Sequence, residues 1–186
     1  MQNKKLVLAS RSPRRQDLLR QCGIDFIVEP SDIEENMDLS LPLDKRMMAL
    51  AKNKALPILA RYPHDLILGA DSVVVLDGEV MGKAANRLQA REFLYKLSGN
   101  VHEVCTACCL LSNEKEVSFF ETSKVYFYPL SKEEIEKYLD SGEWEDKAGA
   151  YAIQGLGCRF VKKIDGDYNN IVGLPVSRLY HELVKF

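Results

Sequence analysis

The run Leu66-Ile67-Leu68-Gly69-Ala70-Asp71-Ser72-Val73-Val74-Val75-Leu76 is apolar on both sides of one carboxylate. A segment this apolar reads as a buried strand. A carboxylate inside it is costly unless it is paired or binds a metal. Asp71 is therefore either an acid buried against an Arg or Lys, a residue on a half-exposed position, or a functional group. Perturbed carboxylates concentrate at active sites, which favours the last. The small residues before it, Gly69 and Ala70, leave room for something to approach.

Around this strand the sequence alternates strand and helix signals. Lys4 to Ala9 reads as a short buried strand. Ser12-Pro13 opens a helix, with Ser suited to the cap and Pro to the first helical position, and the helix stops at Gly23. Phe26 to Val28 is a second strand, and Asp32 to Ser40 is an acidic loop. A long helix is expected from Leu43 to Tyr62, with Leu43, Met47, Leu50 and Ile58 on one face. Asp77-Gly78 signals a hairpin into Glu79 to Met81. A helix over 88–97, strands over 101–111 and 116–128, and a helix opened by the Ser131 to Glu134 capping box follow. A Gly-rich stretch spans 147–173, and a closing helix begins at Pro175. This mixture predicts an α/β fold built on a mixed sheet.

The chain has 186 residues, enough for one large domain or two packed lobes. Its 25 basic and 27 acidic residues give a net charge of −2, so no whole-protein field favours nucleic acid or an anionic membrane. Any anion must be held by a local basic cluster. The five cysteines, an odd number, suggest free thiols in a reducing cytoplasm. Cys105-x-x-Cys108 lies among Val101, Val104, Leu110 and Leu111, so it reads as part of a buried strand rather than as a redox or zinc motif. The apolar run Leu6 to Ala9 is too short for a signal peptide or membrane span.

Four constellations carry the chemistry. The turn Ser10-Arg11-Ser12-Pro13-Arg14-Arg15 places cations at a helix N-terminus, against the helix dipole. This is explained if an anion such as phosphate binds there, or by a solvated surface turn. Asp71 is the second. Lys54 continues the apolar face of the long helix, where it either snorkels to solvent or reaches inward, and Lys83 follows a hairpin and a glycine. The fourth is Lys147 to Gly155, whose small residues allow close backbone approach and whose Gln154 carries both a donor and an acceptor. A tight structural turn accounts for the same residues. His64, His102 and His181 have no spacing for a triad or metal site, and no Walker-type phosphate loop is present.

Together these segments resemble the Maf family of nucleoside triphosphate pyrophosphatases over nearly the whole chain. The shared pieces include Leu8 to Arg15, Ile33-Glu34-Glu35, Ala51 to Ala55, Gly69 to Val74, Gly82-Lys83, Leu97-Ser98-Gly99, Lys147 to Gly155 and Val172 to Pro175. The resemblance implies an elongated mixed sheet with flanking helices, in two lobes around a central cleft, similar to inosine triphosphate pyrophosphatases. It implies hydrolysis of a nucleoside triphosphate to the monophosphate and pyrophosphate, with Mg²⁺ or Mn²⁺.

By that resemblance Asp71 is the proton acceptor, and Arg14, Ser72 and Gln154 fall on three specificity positions. Glu35, Lys54 and Lys83 match further cleft residues. The mechanism this suggests uses Glu35 and Asp71 on the metal, Arg14, Arg15, Lys54 and Lys83 on the triphosphate, and Ser10 and Ser12 at the turn. The stretch Tyr151-Ala152-Ile153-Gln154 resembles the branch acting on dTTP and UTP. The branch acting on 7-methyl-GTP carries Glu at the position of Gln154 and an acid at that of Ser72. Ser72, Ala84 and Ala107 depart from the usual Thr, Pro and Gly. A homodimer is compatible with the resemblance. Two other readings stand beside it: a nucleotide-binding regulator of septum formation with little catalysis, and a pyrophosphatase for modified purine nucleotides.

Overall fold

The strand–helix alternation is realised in a computed structural model that describes residues 4–33 and 38–186. The first strand, β1 (Leu6–Leu8), leads through α1 (Pro13–Gln21) to β2 (Phe26–Val28). The long helix α2 (Leu43–Arg61) returns the chain to β3 (Leu66–Leu76), which turns into the short β4 (Glu79–Met81). Then come α3 (Arg87–Leu97), the two long strands β5 (Val101–Leu111) and β6 (Glu116–Phe127), and α4 (Lys132–Asp140). The Gly-rich stretch contains three short elements: a 3₁₀ helix (Leu156–Phe160), β7 (Val161–Asp165) and α5 (Tyr168–Val172). Helix α6 (Val176–Val184) closes the chain.

The strands form one seven-stranded sheet in the order β2-β1-β3-β5-β6-β7, with β4 paired to β3. It is mixed, as expected. β1 pairs in parallel with both β2 and β3, whereas β4 and β7 pair antiparallel with their neighbours. The chain divides into two compact units, and β3, β5 and β6 contribute residues to both. Unit 1 comprises residues 1–71, 106–121 and 173–186; unit 2 comprises 72–105 and 122–172.

In unit 1 the parallel pairs need crossover helices, supplied by α1 and α2. Their apolar faces, through Leu18, Leu19, Met47, Leu50 and Ile58, are buried with Val7, Leu8, Ile67 and Leu68 of the sheet. Of the expected stripe on α2, Met47, Leu50 and Ile58 are core residues and Leu43 is half-buried. At Gly69 the helix comes closer than side chains allow: a Cβ there would lie 2.0 Å from the carbonyl oxygen of Ala51. The room left by Gly69 is filled by the protein's own backbone.

In unit 2 an aromatic cluster forms the core. Tyr138, Phe160, Phe127, Tyr151 and His102 meet edge to face, with successive centroids 5.0, 5.8, 4.9 and 5.4 Å apart. α4 brings Tyr138 to this cluster, and its start is fixed by the Ser131–Glu134 capping box, both halves of which are present. At the preceding hairpin, Asp77 and Gly78 take φ of 50° and 82°, the left-handed pair such a two-residue turn requires.

His102 has a consequence for pH. It is 1% exposed, and burial lowers its pKa from 6.5 to about 4. Between those values the unfolded chain binds a proton that the folded chain does not. Stability is then complete above pH 6.5 and falls as the pH drops towards 4. The total loss is about 3 kcal/mol, of which about 2 is gone at pH 5. Urea midpoints taken at pH 7.5 and 5 should differ less in a His102→Gln variant than in the parent chain. Equal differences in the two would show that this residue does not titrate on unfolding.

Candidate functional site

Two parallel neighbours, β2 and β3, lie on opposite sides of β1. β3 runs on past the end of β1, so the carboxyl end of β1 lies beside the middle of β3. Leu8 pairs with Leu68, and the Ala9 amide donates to the Leu68 carbonyl at 2.8 Å. The basic turn begins at the next residue, and Asp71 lies three positions past Leu68. The local fold thus brings the turn to the strand segment that carries the carboxylate.

Arg15 makes that connection. Its Nε donates to the Gly173 carbonyl at 2.8 Å, and its Nη1 donates to the Ser10 hydroxyl at 3.1 Å and the Ala70 carbonyl at 2.9 Å. At 9% exposure it is a buried cation. It ties the turn to the peptide immediately before Asp71, so its guanidinium is committed to holding the site's backbone. Arg14 precedes it on α1 and is half-buried. The expected cap is corrected: Ser12 stands at the N-cap but makes no side-chain cap hydrogen bond. Ser10 takes part instead, its hydroxyl accepting from the Ser12 amide at 3.2 Å. With φ −59° and ψ 114° at Ser12, the chain enters the helix through a turn closed by the earlier serine.

Along β3 every residue is buried except Asp71 and Ser72, which are half-buried. Successive residues of a strand face opposite ways, so the two present their side chains on opposite faces. Asp71 is paired. Lys54, on α2, places Nζ 2.5 Å from its Oδ1, and the two side chains are 12% and 15% exposed. Of the two outcomes for Lys54, snorkelling or reaching inward, the structure shows the second. The pair offsets the burial of each charge while remaining open to solvent. The close approach of α2 at Gly69 places Lys54, three residues after Ala51, within reach of Asp71.

Unit 2 holds Ser72, Lys83 and Gln154. Lys83 is exposed. Its backbone forms a bridge with Ala148, and its Nζ is 3.9 Å from Asp146. The segment after Ala148 turns through a left-handed pair, with φ of 66° at Gly149 and 58° at Ala150. The Gly149 amide donates to the Gly82 carbonyl at 3.1 Å. A Cβ on Gly149 would lie 2.8 Å from Val74, so only glycine lets this loop lie against β3 there. Tyr151 and Ile153 are buried, and Gln154 is exposed at the tip. The loop is thus a tight turn, and the same turn presents an amide to solvent.

The sequence reading missed two of the ties that fix this loop. The Tyr138 hydroxyl accepts from the Ala152 amide at 3.0 Å, and the Tyr151 hydroxyl lies 2.8 Å from His102 Nε2. Neither has a short-range signal, because the partners are 14 and 49 residues apart.

For a metal, the described residues contain no group of three or more His, Cys, Asp or Glu placed to hold one. Glu35 lies outside the described residues. Asp71 is a hard oxygen donor. Mg²⁺ characteristically takes one or two carboxylates and completes its shell with substrate phosphates and water. Asp71 fits a cation of that kind. No helix among the described residues is long and apolar enough to cross a membrane.

The basic turn opens α1 beside the strand segment that carries the paired carboxylate, and a helix start of this kind suits an anion. The Maf-like protein family matches residues 5–186, and the chain belongs to it. Relatives named dTTP/UTP pyrophosphatase span nearly its full length. The Symbiobacterium thermophilum protein is 45% identical over 181 residues, covering 97% of this chain and 93% of that one. The Pyrococcus abyssi protein is 47% identical over 180 residues, covering 97% and 95%. The Bacillus velezensis protein is 42% identical over 183 residues, covering 98% and 97%. Among solved structures, the Staphylococcus aureus Ham1 protein is similar over 67% of this chain and 72% of its own, at 15% identity and a TM-score of 0.46, too distant to bear on function.

Proposed function

We propose that the chain is a nucleoside triphosphate pyrophosphatase that hydrolyses dTTP and UTP to the monophosphate and pyrophosphate. Full-length relatives at 42–47% identity that carry this activity in their names support it. The observation that carries it structurally is the Lys54–Asp71 pair, held half-open in the middle of β3 beside the basic turn.

Water attacks the α-phosphorus, and the bond from that phosphorus to the oxygen bridging towards the β-phosphorus breaks. Asp71 orients the attacking water and takes its proton. Lys54 fixes the carboxylate and adds positive charge next to the reacting phosphoryl group. Arg14 and Lys83 neutralise the triphosphate and the leaving pyrophosphate. Ser10 and Ser12 add hydrogen bonds at the turn, where the amides at the start of α1 favour phosphate. Asp71 and Glu35 would hold a divalent cation, Mg²⁺ or Mn²⁺, which would supply charge neutralisation along the triphosphate. Gln154 and Ser72 read the base, with Arg14 as a third specificity position. Arg15 acts earlier in the chain of causes, by holding Ser10 and the Ala70 peptide in place.

A panel of nucleotides with pyrophosphate readout tests this reading. UTP and dTTP should exceed 7-methyl-GTP by at least ~10²-fold in kcat/KM, because a site that hydrogen-bonds one base edge leaves polar groups unpaired with another. Equal rates on the three would contradict the assignment of the base-reading positions. Preference for 7-methyl-GTP would favour the purine branch instead.

A further inference from the structure

The tip of the loop at Gln154 is anchored on both flanks by groups with no part in the chemistry described above. Before the tip, the Ala152 amide is held by the Tyr138 hydroxyl at 3.0 Å. Tyr151 is held through its own hydroxyl by His102, at 2.8 Å. After the tip, the Leu156 amide donates to Glu143 Oε2 at 2.7 Å. Gly155 packs so closely on that carboxylate that a Cβ would lie 2.2 Å from it, and a Cβ on Gly157 would lie 2.7 Å from the Ala152 carbonyl.

These anchors are themselves rigid. Tyr138 and His102 are 0% and 1% exposed, and both belong to the aromatic cluster. Tyr138 sits on α4, and its phenol is pushed up to about 12 by burial, so it stays protonated. The loop carries a backbone conformation that needs such support, since Ala150 has φ 58° without being glycine.

We infer that Tyr138 and Glu143 are specificity-positioning residues: they clamp the backbone on either side of Gln154, which fixes the place from which its side chain reaches the pyrimidine base. This rests on the base-reading role given to Gln154 above. A reader rooted at one place rejects a wrong base because its donor and acceptor are left unpaired. A reader on a slack loop shifts to accommodate either base. The clamp therefore acts on selection between bases and not on the hydrolytic step.

The test is a double-mutant cycle with Tyr138→Phe and Gln154→Ala. Phe keeps the ring in the aromatic cluster and removes only the oxygen that holds Ala152. In Tyr138→Phe the preference for UTP over 7-methyl-GTP should fall about tenfold, mainly through a higher KM for UTP, with kcat for UTP within about twofold of the parent. In the Gln154→Ala background the same change should alter the preference by less than about twofold, because the reader it positions is gone.

On the other flank, Glu143→Ala should show the same KM-against-kcat split more weakly, and Glu143→Gln, which keeps an acceptor for Leu156, should restore the parent preference. These variants carry the test if Tyr138→Phe does not fold. Unchanged preference in both Tyr138→Phe and Glu143→Ala would overturn the inference while leaving the pyrophosphatase assignment intact. So would an effect of Tyr138→Phe that persists in full without Gln154. A parent chain that releases no pyrophosphate from UTP or dTTP would overturn the functional reading and this inference with it.

Discussion

Asp71→Asn is expected to lower kcat for UTP roughly a thousandfold or more while the chain stays folded. Removing a positioned general base costs on the order of 10²–10⁴ in rate, and the same carboxylate is assigned to the cation. The fold should survive because Asn keeps an oxygen where Oδ1 accepts from Lys54 at 2.5 Å. The Lys54 ammonium still donates, now to a neutral oxygen and without its counter-charge, which costs about 2 kcal/mol at a pair that remains partly open to solvent. That moves Tm by only a few degrees for a chain of this size. Turnover within tenfold of the parent would show that Asp71 is a structural acid, present only to neutralise Lys54.

Gly69→Ala is expected to have the largest effect on stability. The added carbon would lie 2.0 Å from the Ala51 carbonyl oxygen and 3.0 Å from its carbonyl carbon. Both are backbone atoms of α2, so no side chain can turn away to relieve the clash. The helix must move, at the expense of the packing of Met47, Leu50 and Ile58, all of which are fully or almost fully buried. Overpacking of this kind costs about 3 kcal/mol or more, which corresponds to a fall in Tm of about 6–12 °C. Activity should fall further than stability alone explains, because Lys54 rides on the displaced helix. Ala70→Gly, its neighbour on β3, offers a contrast in which no clash arises. A Tm for Gly69→Ala within two or three degrees of the parent would mean that α2 can withdraw freely from β3.

The same glycine shows where the sequence is readable. The apolar run, the strand–helix alternation, the capping box at Ser131 and the hairpin at Asp77-Gly78 are local patterns, and the elements they predict form where expected. The elements hidden in the Gly-rich stretch are only five residues each, too short for a periodic signal. Gly69 looked like room for a ligand because sequence records the missing side chain but not the helix that fills the gap. Lys54 was readable as a cation ending an apolar stripe. Its partner was not, because Asp71 is 17 residues away and meets it only once α2 folds back along β3. The turn at Ser10 to Arg15 was legible as a run of cations opening a helix. The inward commitment of Arg15 was not, since two of its acceptors are backbone carbonyls at Ala70 and Gly173. A carbonyl has no residue type to betray it.

The ties around Gln154 follow the same logic. Tyr138 and His102 look like ordinary core residues from their sequence neighbours, and by packing they are. Their second role depends on where two polar atoms point, which only the folded loop determines.

The central claim is that hydrolysis falls between the α- and β-phosphates, and it is tested most directly by identifying the products of UTP with Mg²⁺ by anion-exchange chromatography. UMP and pyrophosphate should appear in equal amounts, with no UDP at any time point. UDP with inorganic phosphate, or tight binding of UTP with no product at all, would contradict the account.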